Sequence, residues 1–199
     1  MSVGICGFIG SGKDAIGDIL CEEKGYVRMS FATAVKEIGS AMFNWPLHML
    51  SGATEESRIW REQVDDEWSE ILGYQITPRM ALQKIGTEAG RNVFGENIFV
   101  GKVLKTIKDK YPDKKIVITD CRFENEINTI RKYGFKIIHV KRPSTMKPWF
   151  NEYKNGVDVN EIDNLHPSEY KWIRSEFDFE INNDGTKEEL KTQILNIIN

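Results

Sequence analysis

A glycine-framed loop directly behind the first apolar run constrains this chain more than anything downstream. Val3-Gly4-Ile5-Cys6 reads as a short buried strand, and Gly7-Phe8-Ile9-Gly10-Ser11-Gly12-Lys13 follows it without a gap. Apolar residues then recur at helical spacing, at Ile16, Ile19 and Leu20. Strand, glycine loop, lysine and helix in this order make a phosphate-binding loop. Glycines let successive N–H groups turn inward where a Cβ would obstruct them, and the helix N-terminus adds its dipole to the anion site. Lys13 supplies a point charge to the outer phosphates. A glycine-rich turn that binds nothing leaves that ordered set unexplained.

The next position departs from the pattern. The motif G-x-x-x-x-G-K-S/T ends in a hydroxyl for a magnesium ion, and this chain has Asp14 there. A carboxylate at that place serves one of two ends. It meets magnesium directly or through water, or it steadies the helix N-terminus by about 0.3–1 kcal/mol.

At 199 residues with 40% hydrophobic content, the chain can bury one substantial core, which implies one domain with a mobile excursion. A formal charge of -3 leaves no basic footprint for nucleic acid. Cys6, Cys21 and Cys121 lack metal-ligand spacing and read as core or strand-end thiols of a reducing compartment. Without a membrane-length apolar run, and with Met1 leading straight into the first strand, the expected location is the cytoplasm. A homodimer stays open beside a monomer.

Strands alternate with helices along the chain, which predicts a three-layer α/β fold with a mainly parallel central sheet. Strands are expected at 26–30, 115–120, 135–141 and 177–182, and a helix over 32–43. Residues 44–74 are polar and carry Trp45, Trp60 and Trp68, with Thr54 placed as an N-cap. After them Thr77 caps a helix with Pro78 at its first position. At about 100° per residue, Leu82, Ile85, Ala89 and Val93 form an apolar stripe, and Arg79, Gln83, Gly86 and Gly90 share another face. Two glycines inside a helix predict a close approach, either of a ligand to that face or of a neighbouring helix.

The apolar run 115–120 ends in Asp120, either the acid that such folds place for magnesium or an ordinary strand-ending Asp or helix cap, and Arg122 follows two residues on. The strand at 135–141 ends in Lys141-Arg142-Pro143, and His139 within it reads as a packed strand residue. From 144 to 170 the pattern is loose and basic-aromatic, which suits a small lid over phosphates or a plain surface loop. Thr186 and Glu189 have capping-box spacing after the turn Asn183-Asp184-Gly185.

Together these pieces resemble a known family. Ser11-Gly12-Lys13-Asp14, the run from Thr77-Pro78-Arg79 through Leu82-Gln83 to Gly86-Thr87-Glu88 and Arg91, Asp120-Cys121-Arg122-Phe123-Glu124-Asn125-Glu126, His166-x-Ser168-Glu169 and Asn183-Asp184-Gly185-Thr186 are similar to the deoxynucleoside monophosphate kinases of bacteriophages. Their shared order spans nearly the whole chain, although Ala15 stands where that family commonly has a threonine. The resemblance implies a single P-loop kinase domain over 1–199, with an acceptor-binding insertion at about 32–95 and a lid at about 143–170. It implies transfer of the γ-phosphoryl group of ATP to a deoxynucleoside 5′-monophosphate, with magnesium and without nucleic-acid or membrane partners. Lys13, Arg122 and Arg142 would carry the reaction, and Gly7, Gly10, Ser11, Gly12, Lys13, Asp14 and Ala15 would hold ATP. Lys36, Arg79, Gln83, Trp149, His166 and Glu169 would hold the acceptor, and Asp14 and Asp120 the metal.

A monophosphate is already an anionic nucleophile, so alignment and charge neutralisation suffice, and no Ser/His/Asp arrangement is needed. Two alternatives stand beside this reading. One is another small-molecule kinase of the dephospho-coenzyme A kinase kind, and the other is a slowly hydrolysing nucleotide switch.

Overall fold

Val3–Cys6 (β1) is buried on both faces and paired in parallel on both edges. The computed structural model describes residues 1–158, 165 and 167–198. These fall into two compact units, residues 1–30 with 103–199, and residues 31–102.

The first unit holds the sheet. Among the described residues its other strands are Val27–Met29 (β2), Ile116–Ile118 (β3), Lys136–Lys141 (β4) and Phe179–Asn182 (β5). All pair in parallel in the order β2-β3-β1-β4-β5, with Val3 opposite Val117 on one side and Lys136 on the other. Alternate residues of a strand face opposite layers. Accordingly Val3 and Ile5 pack with Ile16, Ile19 and Leu20 of Lys13–Lys24 (α1) and with Leu190 and Ile194 of Lys187–Ile198 (α11). Gly4 points the other way, where a Cβ would come within 2.6 Å of Ile130 in Glu124–Lys132 (α9). The sheet therefore has helices on both faces, as expected for a three-layer α/β fold. The chain leaves β3 on one side of β1 and returns as β4 on the other. Such a switch point opens a crevice at the carboxyl ends of the strands, and the glycine loop after β1 begins there.

The second unit is helical. Its elements are Ala32–Phe43 (α2), Leu47–Ser51 (α3), Glu55–Trp60 (α4), Asp66–Leu72 (α5), Pro78–Lys84 (α6), a π-helical turn Ile85–Arg91, Asn92–Phe94 (α7) and the start of Ile98–Lys110 (α8). The stretch 44–74, polar in sequence, shares a core with the residues that flank it. Trp45, Leu50, Ile76 and Ala81 are buried, with Phe43, Trp60 and Trp68 packed around them. Phe43 and Trp45 stack at 4.2 Å. Asp65 accepts the Trp45 indole N–H at 2.7 Å and caps α5 through Trp68 N at 2.9 Å. Thr54 and Thr77 cap α4 and α6 as expected, accepting from Ser57 N and Met80 N at 3.1 Å.

Two expectations are corrected here. The apolar stripe through Leu82, Ile85, Ala89 and Val93 does not survive, because the π-helical turn Ile85–Arg91 shifts the phase of the helix. Ala89 and Val93 are exposed, while Ile85, Gly86 and Gly90 are buried. What approaches Gly90 is the Phe99 ring, so that glycine serves packing rather than a ligand. The expected lid also has more core than its pattern displays. Phe150 and Tyr153 of Phe150–Lys154 (α10) are buried, and Phe8, Trp172 and His139 surround Phe150 at 5.7–6.3 Å. Aromatic side chains pack there without helical or strand periodicity.

A methyl group at residue 90 would lie 2.6 Å from Phe99 and 2.8 Å from the Ile85 carbonyl. Gly90→Ala is therefore expected to destabilise the protein by about 1–3 kcal/mol, lowering the melting temperature by several degrees in a thermal scan.

Candidate active site

The loop after β1 is built from backbone. Ser11 N–H donates to Phe8 O at 3.1 Å, and α1 starts at once, with Ile16 N–H donating to Gly12 O at 3.1 Å. No side chain caps that helix start. Gly12 has φ 102°, a left-handed conformation that disfavours a side chain. A Cβ there would also collide with the Asn183 amide, which donates to Ser11 O at 2.8 Å. Asn183 is fixed in turn by its own N–H to Lys141 O at 2.7 Å, so the turn after β5 braces the loop. The Thr186–Glu189 capping box forms as expected, through Thr186 N–H to Glu189 Oε2 at 2.7 Å and Glu189 N–H to Thr186 Oγ1 at 3.2 Å. The Ser11 hydroxyl is buried and has no hydrogen-bond partner among the described residues.

Three cations surround this loop. Lys13 Nζ donates to the carbonyls of Gly7 at 2.8 Å and Phe8 at 2.7 Å. Burial first, and the Arg122 guanidinium second, lower its pKa to about 8, against the opposing pull of Asp14 and Asp120. Arg142 reaches the Gly10 carbonyl at 3.2 Å. Arg122 is exposed beyond β3, and its backbone N–H is held by Glu126 Oε2 at 2.8 Å. Extra positive charge held this close to Lys13 is unfavourable in the isolated protein and suited to a polyphosphate.

The two acids differ in their partners. Asp14 pairs with Arg28 and accepts the Thr119 hydroxyl at 3.2 Å. Asp120 accepts Ser30 Oγ at 2.7 Å. Among the described residues no group of three or more His, Cys, Asp or Glu side chains gathers as a metal cage. Magnesium bound with phosphates needs only one or two carboxylates, and both acids offer the hard oxygen it prefers.

The expected residues thus divide. Gly7, Gly10, Ser11, Gly12, Lys13 and Asp14 come together with Asp120, Arg122 and Arg142, while the Ala15 methyl packs toward the core. Trp149 lies edge-on to Phe8 at 5.9 Å. Glu169 is half-buried in the short helical turn Pro167–Glu169, and His166 lies outside the described residues, as do 159–164 of the expected lid. In the second unit, Lys36 donates to Ser51 O at 3.1 Å, Arg79 pairs with Glu62 at 2.7 Å, and Gln83 lies one turn beyond Arg79, half-buried. Arg28, Ser30, Thr119 and Asn183 were not singled out from sequence as site residues. Only Asn183, inside a turn motif, carried any local signal.

The sequence signature described as deoxynucleotide monophosphate kinase matches residues 54–194. The chain belongs to this family. A relative from Acanthamoeba polyphaga mimivirus, provisionally described as a deoxynucleotide monophosphate kinase, is 28% identical over 208 aligned positions, covering 98% of this chain and 95% of that one. Among solved structures, the dephospho-CoA kinase from Campylobacter jejuni aligns with a TM-score of 0.50 at 14% identity, covering 99% of this chain and 94% of that one. That likeness speaks for the fold alone. Membership of the deoxynucleotide monophosphate kinase family makes the chain a phosphotransferase that takes a nucleotide substrate.

The lowered pKa of Lys13 has a consequence for stability. Between about pH 8 and the ordinary lysine value of 10.5 the unfolded chain holds the extra proton, so this group makes stability rise with pH across that window. Below it, the buried charge is a standing cost. Lys13→Met is therefore expected to melt a few degrees above wild type at pH 7, and the gap should close by pH 10 in parallel thermal scans.

Proposed function

We propose that the protein transfers the γ-phosphoryl group of ATP to a deoxynucleoside 5′-monophosphate, releasing ADP and the diphosphate. The observation that carries this reading is the gathering of Lys13, Arg122 and Arg142 around an uncapped helix start in a chain of this family. An oxygen of the acceptor monophosphate attacks the γ-phosphorus while the bond to the β,γ-bridging oxygen breaks. No protein base is required, because the attacking oxygen is already charged.

The chain's own part is alignment and neutralisation. Backbone N–H groups of Gly10, Gly12 and Lys13 receive the β-phosphate, the buried Ser11 hydroxyl offers a further donor, and Lys13 bridges toward the γ-phosphate. Arg122 offsets the charge of the transferring group, and Arg142, anchored at Gly10, covers it from the side of β4. Asp120 and Asp14 would hold magnesium, which would supply positive charge against the phosphates. Lys36, Arg79 and Gln83, with Trp149, His166 and Glu169, are the acceptor-side candidates. A planar guanidinium at Arg79 can hold two phosphate oxygens at once, and a lysine cannot reproduce that fork.

ADP release measured across deoxynucleoside monophosphates, ribonucleoside monophosphates and dephospho-coenzyme A tests the assignment. Rapid turnover is expected only with deoxynucleotides and should be lost by several orders of magnitude in Lys13→Ala. Turnover only with dephospho-coenzyme A, or slow ATP hydrolysis indifferent to any acceptor, would reject it. In the same assay, Arg79→Lys should raise the KM for the deoxynucleotide by at least about fivefold, the scale of losing one arm of a charged fork, with little change for ATP. A rise confined to ATP would place Arg79 on the donor side.

A further inference from the structure

The start of α1 carries two carboxylates one helical turn apart, Asp14 and Asp18. Like charges at this spacing repel and weaken a helix. Arg28, on β2, lies across both. Its NH1 donates to Asp18 Oδ1 at 2.8 Å, and its NH2 reaches Asp14 Oδ1 and also donates to Thr119 Oγ1 at 3.1 Å. Thr119 then donates to the same oxygen of Asp14 at 3.2 Å. The guanidinium can lie there because residue 17 is glycine. A Cβ at that position would stand 3.4 Å from Arg28 Nε and 2.6 Å from the Thr119 methyl. One oxygen of Asp14 is thus engaged by two donors from outside α1, although its side chain is 77% exposed.

This arrangement matters because of where Asp14 sits. It follows Lys13 immediately, and its negative charge acts on the Lys13 ammonium. A phosphate loop that replaces the usual neutral hydroxyl by a carboxylate places an anion beside the group that must attract a polyphosphate. Uncompensated, that charge opposes binding. We propose that Arg28 is a positioning residue for the nucleotide, holding the Asp14 carboxylate toward β2 and offsetting its charge so that the loop accepts phosphate. The proposal rests on the reading of this loop as the nucleotide site. Arg28 acts through Asp14 and need not touch the nucleotide itself.

The test is ADP binding by titration calorimetry for wild type, Arg28→Met, Asp14→Asn and the double variant, each in EDTA and again with excess magnesium. Without magnesium, Arg28→Met should weaken ADP binding by about 3- to 10-fold, the effect of one partly screened charge. In the Asp14→Asn background the same change should alter affinity by less than about twofold, because the charge that needed compensation is gone. Excess magnesium should shrink the Arg28→Met loss, since the metal supplies the missing countercharge. An equal loss in both backgrounds would mean that Arg28 contacts the phosphates directly or merely supports the fold, and would overturn the proposal. So would unchanged affinity in Arg28→Met. If that variant melts below the assay temperature, Arg28→Lys replaces it. Keeping the charge but not the fork, it should lose less than threefold and still be insensitive in the Asp14→Asn background; a larger loss persisting in both backgrounds would again overturn the idea. Because the readout is binding, failure of wild type to phosphorylate any deoxynucleotide would count against the functional reading while this comparison still decides the role of Arg28.

Discussion

Parallel pairing of β1 on both edges, with apolar burial on both faces, is the constraint on which the rest of the first unit depends. A strand held this way cannot tilt or slip without losing two ladders and two layers of packing at once. Its last residue, Cys6, therefore delivers the loop to a fixed place and direction. The side chain of Phe8 extends that anchoring, with its ring wedged among Trp149, Phe150 and Trp172 at 5.2–5.9 Å. Its carbonyl can then serve as a stationary acceptor for both Ser11 N–H and the Lys13 ammonium. Local flexibility conferred by glycines is thus spent inside a rigid frame.

That frame holds charges that stability alone would not select. Lys13 is partly withdrawn from water beside Arg122. His139, by contrast, is fully buried among Phe150, Trp172 and Phe177, and burial lowers its pKa to about 4, which keeps it neutral at physiological pH. One buried base has shed its charge and packs as an aromatic ring, while the loop lysine keeps its charge near neutrality. The difference separates a core residue from one that stays charged beside the glycine loop.

Much of this was legible in the sequence because local chemistry decides it. The order of strand, loop and helix, the caps at Thr54, Thr77 and Thr186 and the packed character of His139 follow from short-range pattern, and Asp120 and Arg122 were marked for the loop by their place at the end of a strand. What escaped depends on pairing between distant segments. Arg28 meets Asp14 only because β2 lies beside β3 and α1 crosses above, and Asn183 meets Ser11 only because β5 closes that side of the sheet. The π-helical turn escaped for a different reason. A helical wheel assumes uniform winding, and one wide turn moves Ala89 and Val93 off the face that a regular helix would bury. The tryptophans of 44–74 showed their hydrophobicity but not their partners, since Trp45 and Trp68 satisfy their indole N–H groups through Asp65 and a backbone carbonyl.

The Asn183 brace joins residues 172 positions apart in the chain. During vectorial synthesis the glycine loop emerges first, and its final support follows only 172 residues later. A nascent chain that has made β1, β3 and β4 but not β5 would own the whole glycine loop and still lack the clamp on Ser11. The loop is therefore complete in sequence long before it is complete in structure, its last brace arriving only with β5.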